Sequence, residues 1–192
     1  MTSLHIKLNG TALIEAGTSV CCSLGWSVRC SRDEEAVAYL EVNGMVRRGD
    51  DKYDHLYWIE DRPLVAGDRL DISCASSDGA SPTVRMQTHE QLEDRLAEYD
   101  RAEKAGEYDA LQATEPAPIR TTCALELISA DGIFRNLRAD GSVTTVVCEG
   151  RWTSFLRPEQ WLLHFWSVPT PEAAGRFWQP IAGAARVTVR ET

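Results

Sequence analysis

Apolar and polar residues alternate along most of the first 86 positions, with a turn signal about every ten residues. Leu4, Ile6 and Leu8 alternate with polar neighbours, Asn9-Gly10 suits a two-residue turn with positive φ, and apolar residues resume at Ala12. From Ser19 to Cys30 the even positions are Val20, Cys22, Leu24, Trp26, Val28 and Cys30; the odd ones are Ser19, Cys21, Ser23, Gly25, Ser27 and Arg29. Period-two alternation puts the first set on one face of a strand and the second on the other. A further strand is expected over Ala36–Val42, ending at Asn43-Gly44, and a short aromatic one over His55–Ile59. Ala66-Gly67-Asp68 then turns the chain into a strand with Leu70, Ile72 and Cys74 on one side. These elements predict a small antiparallel sandwich or barrel over residues 1–86.

The period changes after Pro82. Leu92, Leu96 and Tyr99 recur at helical spacing, and Thr88 with Gln91 forms a capping box, so an acidic connecting helix is expected from residue 88, with Gly106 as its stop. Pro116 and Pro118 favour an extended linker, closing a segment that spans 87–118. Over 119–192 the apolar runs of residues 121–129, 133–137 and 142–148 are separated by Asp131-Gly132 and Asp140-Gly141, the signature of a β-meander. Residues 159–168 read as a buried strand, 170–180 as one short helix opened by Thr170-Pro171 and stopped by Pro180, and 185–191 as a closing strand. The fold class is therefore mainly β, or α+β. The pattern leaves open whether the two β stretches share a core.

Charge sharpens this picture. The 192-residue chain carries a formal net charge of −9, and residues 89–109 hold 8 acidic side chains against 3 basic ones. Such a surface repels a phosphate backbone, so nucleic acid is not an expected partner, whereas a basic protein is attracted. Nothing in the chain approaches the roughly 18 apolar residues of a membrane span, and the N-terminus lacks the pattern of a secretory leader. Six cysteines in 192 residues are too sparse for a disulfide framework. The expectation is a soluble, cytoplasmic protein with free thiols.

Candidate chemistry is thin. Cys21 and Cys22 point to opposite sides of an extended strand and cannot share one metal ion. Cys22 and Cys30 share a face but lie roughly 26 Å apart at about 3.3 Å per residue. No C-x-x-C occurs, so the thiols read as small apolar side chains, with Cys21, on the polar face, the more reactive. Asp50, Asp51, Asp54 and His55 gather in a predicted loop where carboxylates beside a histidine suit a hard cation or acid–base work. Their spacing does not match a calcium loop, and a solvated loop explains the same residues. His164 reads as a satisfied core or edge residue. Neither a nucleophile elbow nor a phosphate-cradling glycine motif is present, so no catalytic, metal or cofactor-binding residue is assigned. Trp152, Trp161, Trp166 and Trp178 are concentrated near the C-terminus and read as core before recognition surface.

The acidic helix is the sharpest feature. Glu90, Asp94 and Glu98 fall at intervals of four, and like charges so placed destabilise a lone helix by about 0.2–0.5 kcal/mol per pair. Glu90, Glu93, Asp94, Glu98 and Asp100 are the candidate partner-binding residues. The leading functional expectation is a non-enzymatic soluble binding protein, an immunity-type inhibitor or docking module for a basic protein. The alternatives are a small enzyme or metal-binding protein using Asp50, Asp51, Asp54 and His55, and a structural oligomerisation module.

Overall fold

The computed structural model describes residues 1–49, 51–104, 118–157, 160–168 and 179–191. They form two antiparallel sheets and one helix, a β-sandwich of mainly β class. In chain order the elements are β1 (Thr2–Leu8), β2 (Thr11–Ala16), β3 (Cys21–Ser31), β4 (Ala38–Arg47), β5 (Tyr53–Leu64), β6 (Arg69–Ser76), β7 (Arg85–Gln87) and α1 (His89–Lys104). They continue with β8 (Cys123–Ser129), β9 (Phe134–Ala139), β10 (Thr145–Thr153), β11 (Gln160–Val168), β12 (Gln179–Ala182) and β13 (Ala185–Glu191). One sheet has the order β2-β1-β6-β13-β8-β9, the other β12-β11-β10-β3-β4-β5-β7.

Local signals act where the pattern places them. Asn9 (φ 53°) and Gly10 (φ 84°) make the β1–β2 turn with the positive φ values a two-residue hairpin needs. Leu70, Ile72 and Cys74 of β6 are buried on one face. At the start of α1 the Gln91 amide donates to Thr88 Oγ1 at 3.3 Å while the Thr88 amide donates to Gln91 Oε1 at 3.0 Å, the reciprocal capping box. The expected short helix over 170–180 and the expected stop at Gly106 lie outside the described residues, except that Gln179 and Pro180 belong to β12.

Elsewhere tertiary contacts redirect the chain. Asn43-Gly44 is no turn: β4 runs on through it to Arg47. A Cβ on Gly44 would stand 2.9 Å from Ser23 O and 3.0 Å from Trp58, so glycine here lets the aromatic ring approach the strand. Gly132 (φ 87°) closes the β8–β9 hairpin, but Asp140-Gly141 carries the chain from one sheet to the other. β10 consequently pairs with β3 and β11, where a meander would pair it with β9.

The alternation of β3 also needs correcting at its start. Val20 is exposed, and β3 begins at Cys21. Opposite β4 the register shifts between Cys21 and Ser23, leaving Cys22 as the extra residue of a bulge. Cys21 therefore packs against the core, where burial pushes its thiol pKa up, and Cys22 Sγ lies 3.3 Å from Met45 O. Half-buried and with its pKa raised, the Cys21 thiol is less disposed to react than its expected place on the polar face implied.

The question of a shared core is answered by the pairing. β13 lies between β6 and β8, and β10 beside β3, so strands from both ends of the chain enter each sheet. Their inner faces meet in one cluster that includes Leu4, Trp26, Leu40, Trp58, Leu125, Trp161 and Val187. Trp26 and Trp161 pack edge to face, ring centroids 5.7 Å apart. Gly150 makes this pair fit: a Cβ there would lie 2.4 Å from Trp26 Nε1 and 2.5 Å from Trp161.

Candidate functional site

α1 follows directly on the edge strand β7, and the loop before β5 seats its first turn. Asp54, on the same side of β5 as Leu56 and Trp58, is only 6% exposed. Its Oδ1 accepts from the His89 amide and from Arg48 Nη1, both at 3.2 Å. A carboxylate there satisfies an amide at the helix N-terminus and favours the positive end of the helix dipole. Glu90 reaches back to Lys52 Nζ at 2.9 Å and Arg48 Nη1 at 3.9 Å. The Lys52 ammonium holds the Glu90 carboxyl well below its usual range, at about 2.

Beyond this seat the helix is largely exposed. None of its 16 residues, all of them described, is buried. Leu96 is 55% exposed and Tyr99 43%. Of the apolar stripe that helical spacing predicts, Leu96 and Tyr99 face solvent and Leu92, nearest the seat, is half-buried. Asp94, Glu98 and Asp100 are exposed and, among the described residues, form no ion pair.

Between α1 and the outer face of the seven-stranded sheet lies a cleft of about 460 Å³ lined by Glu41, Tyr57, Glu60, Asp61, Arg85 and Arg95. Arg85 is spoken for: its guanidinium bonds Glu60 and lies 3.9 Å over the Tyr57 ring. Asp61 stands in a bulged, positive-φ part of β5, 3.7 Å from Arg29 Nη2. The three carboxylates come from β4 and β5, far from α1 in sequence; Arg85 pairs with Glu60 and Arg29 with Asp61, and Arg95 of α1 faces them across the cleft.

The predicted docking residues divide. Glu90 is engaged by Lys52 and Arg48, and Glu93 Oε1 by His89 Nε2 at 3.3 Å. Asp94, Glu98 and Asp100 remain open to solvent. The second predicted cluster does not converge. Asp50 lies outside the described residues. Asp51, at φ 57°, is exposed and 3.8 Å from Arg47. Asp54 is turned inward onto the helix seat, while the next residue, His55, sits on the outer face beside Gln87. Burial, and then the nearby Arg151 charge, lowers the His55 pKa. Among the described residues no three His, Cys, Asp or Glu side chains are grouped to hold a metal ion. Nor is any described helix long and apolar enough to cross a membrane.

Sequence reasoning missed one polar pair outright. His164 and Glu149 are directly opposite on β11 and β10, with Nδ1 and Oε1 2.7 Å apart on the outer face of the seven-stranded sheet. Only the strand register reveals it. It accounts for a buried histidine in an aromatic strand. The chain matches no protein-family model, no curated protein and no solved structure.

Proposed function

We propose that the chain is a non-enzymatic binding protein that docks a basic protein partner through α1 and the acidic cleft beside it. An immunity-type inhibitor acting in the cytoplasm is the form this takes. The observation that carries the reading is the helix: it is firmly seated at one end, yet buries nothing along its length. Leu96 and Tyr99 keep much of their apolar surface in solvent, Tyr99 with Arg95 over its ring. Flanked by Asp94, Glu98 and Asp100, they have the composition of an interface, an apolar centre within a charged rim. Tyrosine is also among the residues that dominate binding energy when covered. Glu41 and Asp61 line the cleft where a partner's arginine or lysine would enter. The acidic surface accelerates encounter with a cationic partner and selects against anionic ones.

The test is kinetic. An arginine-rich amphipathic peptide serves as the probe, and its association rate is measured by stopped-flow fluorescence. The rate is expected to fall by about tenfold or more as salt rises from about 0.05 M to about 0.5 M. The variant D94N/E98Q/D100N should associate slowly at every salt concentration. Equal rates for variant and wild type would remove the reading.

A further inference from the structure

Cys30, next to last in β3, and Cys123, first in β8, belong to opposite sheets. Both are buried in the one core that the two sheets share, and each thiol lies near enough to shift the other's ionisation. Facing sheets ordinarily lie about 10 Å apart, whereas a disulfide needs Cα atoms within about 4.4–6.8 Å. Here β3 and β8 approach more closely than facing sheets ordinarily do, with Cα atoms of the two strands within 8 Å of each other. The amides of Ile119 and Arg120 donate to Arg32 O at 2.9 and 3.3 Å. Arg32 Nε donates to Arg120 O at 3.3 Å, and Arg120 Nη1 to Ser31 O at 2.7 Å. Main chain next to Cys30 is thus bonded to main chain a few residues before Cys123.

The surroundings also divide the chemical roles. The neighbouring Cys30 thiol, and with it the Arg120 and Arg32 guanidiniums, favour a Cys123 thiolate and lower its pKa. The neighbouring Cys123, with burial, pushes the Cys30 thiol up. A thiolate is the attacking species in thiol–disulfide exchange. Cys123 also adjoins the surface: residues 118, 119 and 121 are exposed, so local opening at this end admits an oxidant.

We propose that Cys30 and Cys123 are a redox-modification site, converted by a small-molecule disulfide such as oxidised glutathione into an inter-sheet disulfide. The Cys123 thiolate attacks one sulfur of the oxidant and expels one glutathione thiolate, which takes up a proton. A mixed disulfide remains on Cys123. Cys30 then loses its proton, its sulfur attacks Cys123 Sγ, and the second glutathione leaves as a thiol. Two protein thiols have lost two electrons and two protons, and the oxidant disulfide has become two thiols. In a reducing compartment the pair stays reduced, and the bond forms on oxidative challenge and is reversed by a dithiol. Once formed, it ties together sites distant in sequence and restricts the unfolded chain.

The experiment exposes the native full-length protein to oxidised glutathione, quenches with acid and alkylates free thiols in denaturant. Thiol counting and non-reducing peptide mapping follow. Two of the six thiols should disappear, no glutathione should remain attached, and one cross-linked peptide pair should contain Cys30 and Cys123. The urea midpoint should rise and return on adding dithiothreitol. Cys123→Ser should abolish the cross-link, and Cys22→Ser should leave it intact. Retention of all six thiols, a persistent glutathione adduct at Cys123, or a cross-link between other cysteines would each overturn the proposal. If Cys123→Ser does not fold, the wild-type peptide map decides alone.

Discussion

β3 and α1 both carry regular apolar spacing, and the fold uses them in opposite ways. β3 is paired on both sides, with β10 and β4, and buries Leu24, Trp26, Val28 and Cys30. α1 presents Leu92, Leu96 and Tyr99 along one stripe and buries none of them. Periodicity specifies which secondary structure forms, but burial requires an opposing apolar face. β3 finds one in the strands of the other sheet. α1, anchored by Asp54 and Glu90 at its first turn, leaves the body before meeting one. The exposed part of that stripe is the surface that the proposed partner would cover.

That contrast breaks most visibly at the strand. Trp26→Ala removes the ring packed edge-on against Trp161 and should cost about 3–5 kcal/mol, read as a large drop in urea midpoint. Gly150→Ala attacks the same pair by overfilling it. It should cost about 1–3 kcal/mol, because strand and ring must move apart. Asp54→Ala unseats the helix while removing no apolar side chain from the core. Stability should fall by about 1 kcal/mol, as for loss of a helix cap, and amide exchange should accelerate over His89–Leu92 while β3 stays protected. The smallest effect is a pH dependence. Because the folded pKa of His55 lies below its ordinary value near 6.5, protonation favours the unfolded chain. Its contribution is present above pH 6.5 and declines as pH falls through and below that value. His55→Gln should flatten this part of the stability–pH curve.

What the sequence made legible was local. Asn9-Gly10, the Thr88–Gln91 capping box and the alternation of β6 depend on neighbours in the chain, and each acts as its pattern implies. Asn43-Gly44 has the same turn chemistry as Asn9-Gly10, yet runs straight, because Trp58 from another strand needs the space above Gly44. Cys22 becomes a bulge through its register against β4, which turns Cys21 inward. Asp140-Gly141 joins two sheets in place of two neighbouring strands. The candidate site divides along the same line. Helical spacing sufficed to place Asp94, Glu98 and Asp100 on an exposed helix. The diversion of Glu90 to Lys52 and Arg48, and the addition of Glu41 and Asp61 to the acidic surface, depend on where β4 and β5 lie.

The most direct test of the claim that α1 is held out for docking is urea denaturation of the double variant L96A/Y99A. Alanine preserves the helix and deletes the exposed Leu96 and Tyr99 side chains, with the exposed Arg95–Tyr99 contact. The account predicts an unfolding free energy within about 0.5 kcal/mol of wild type, as for surface substitutions. A loss of about 2 kcal/mol or more, the scale of a core deletion, would place the stripe in the folded body and contradict it.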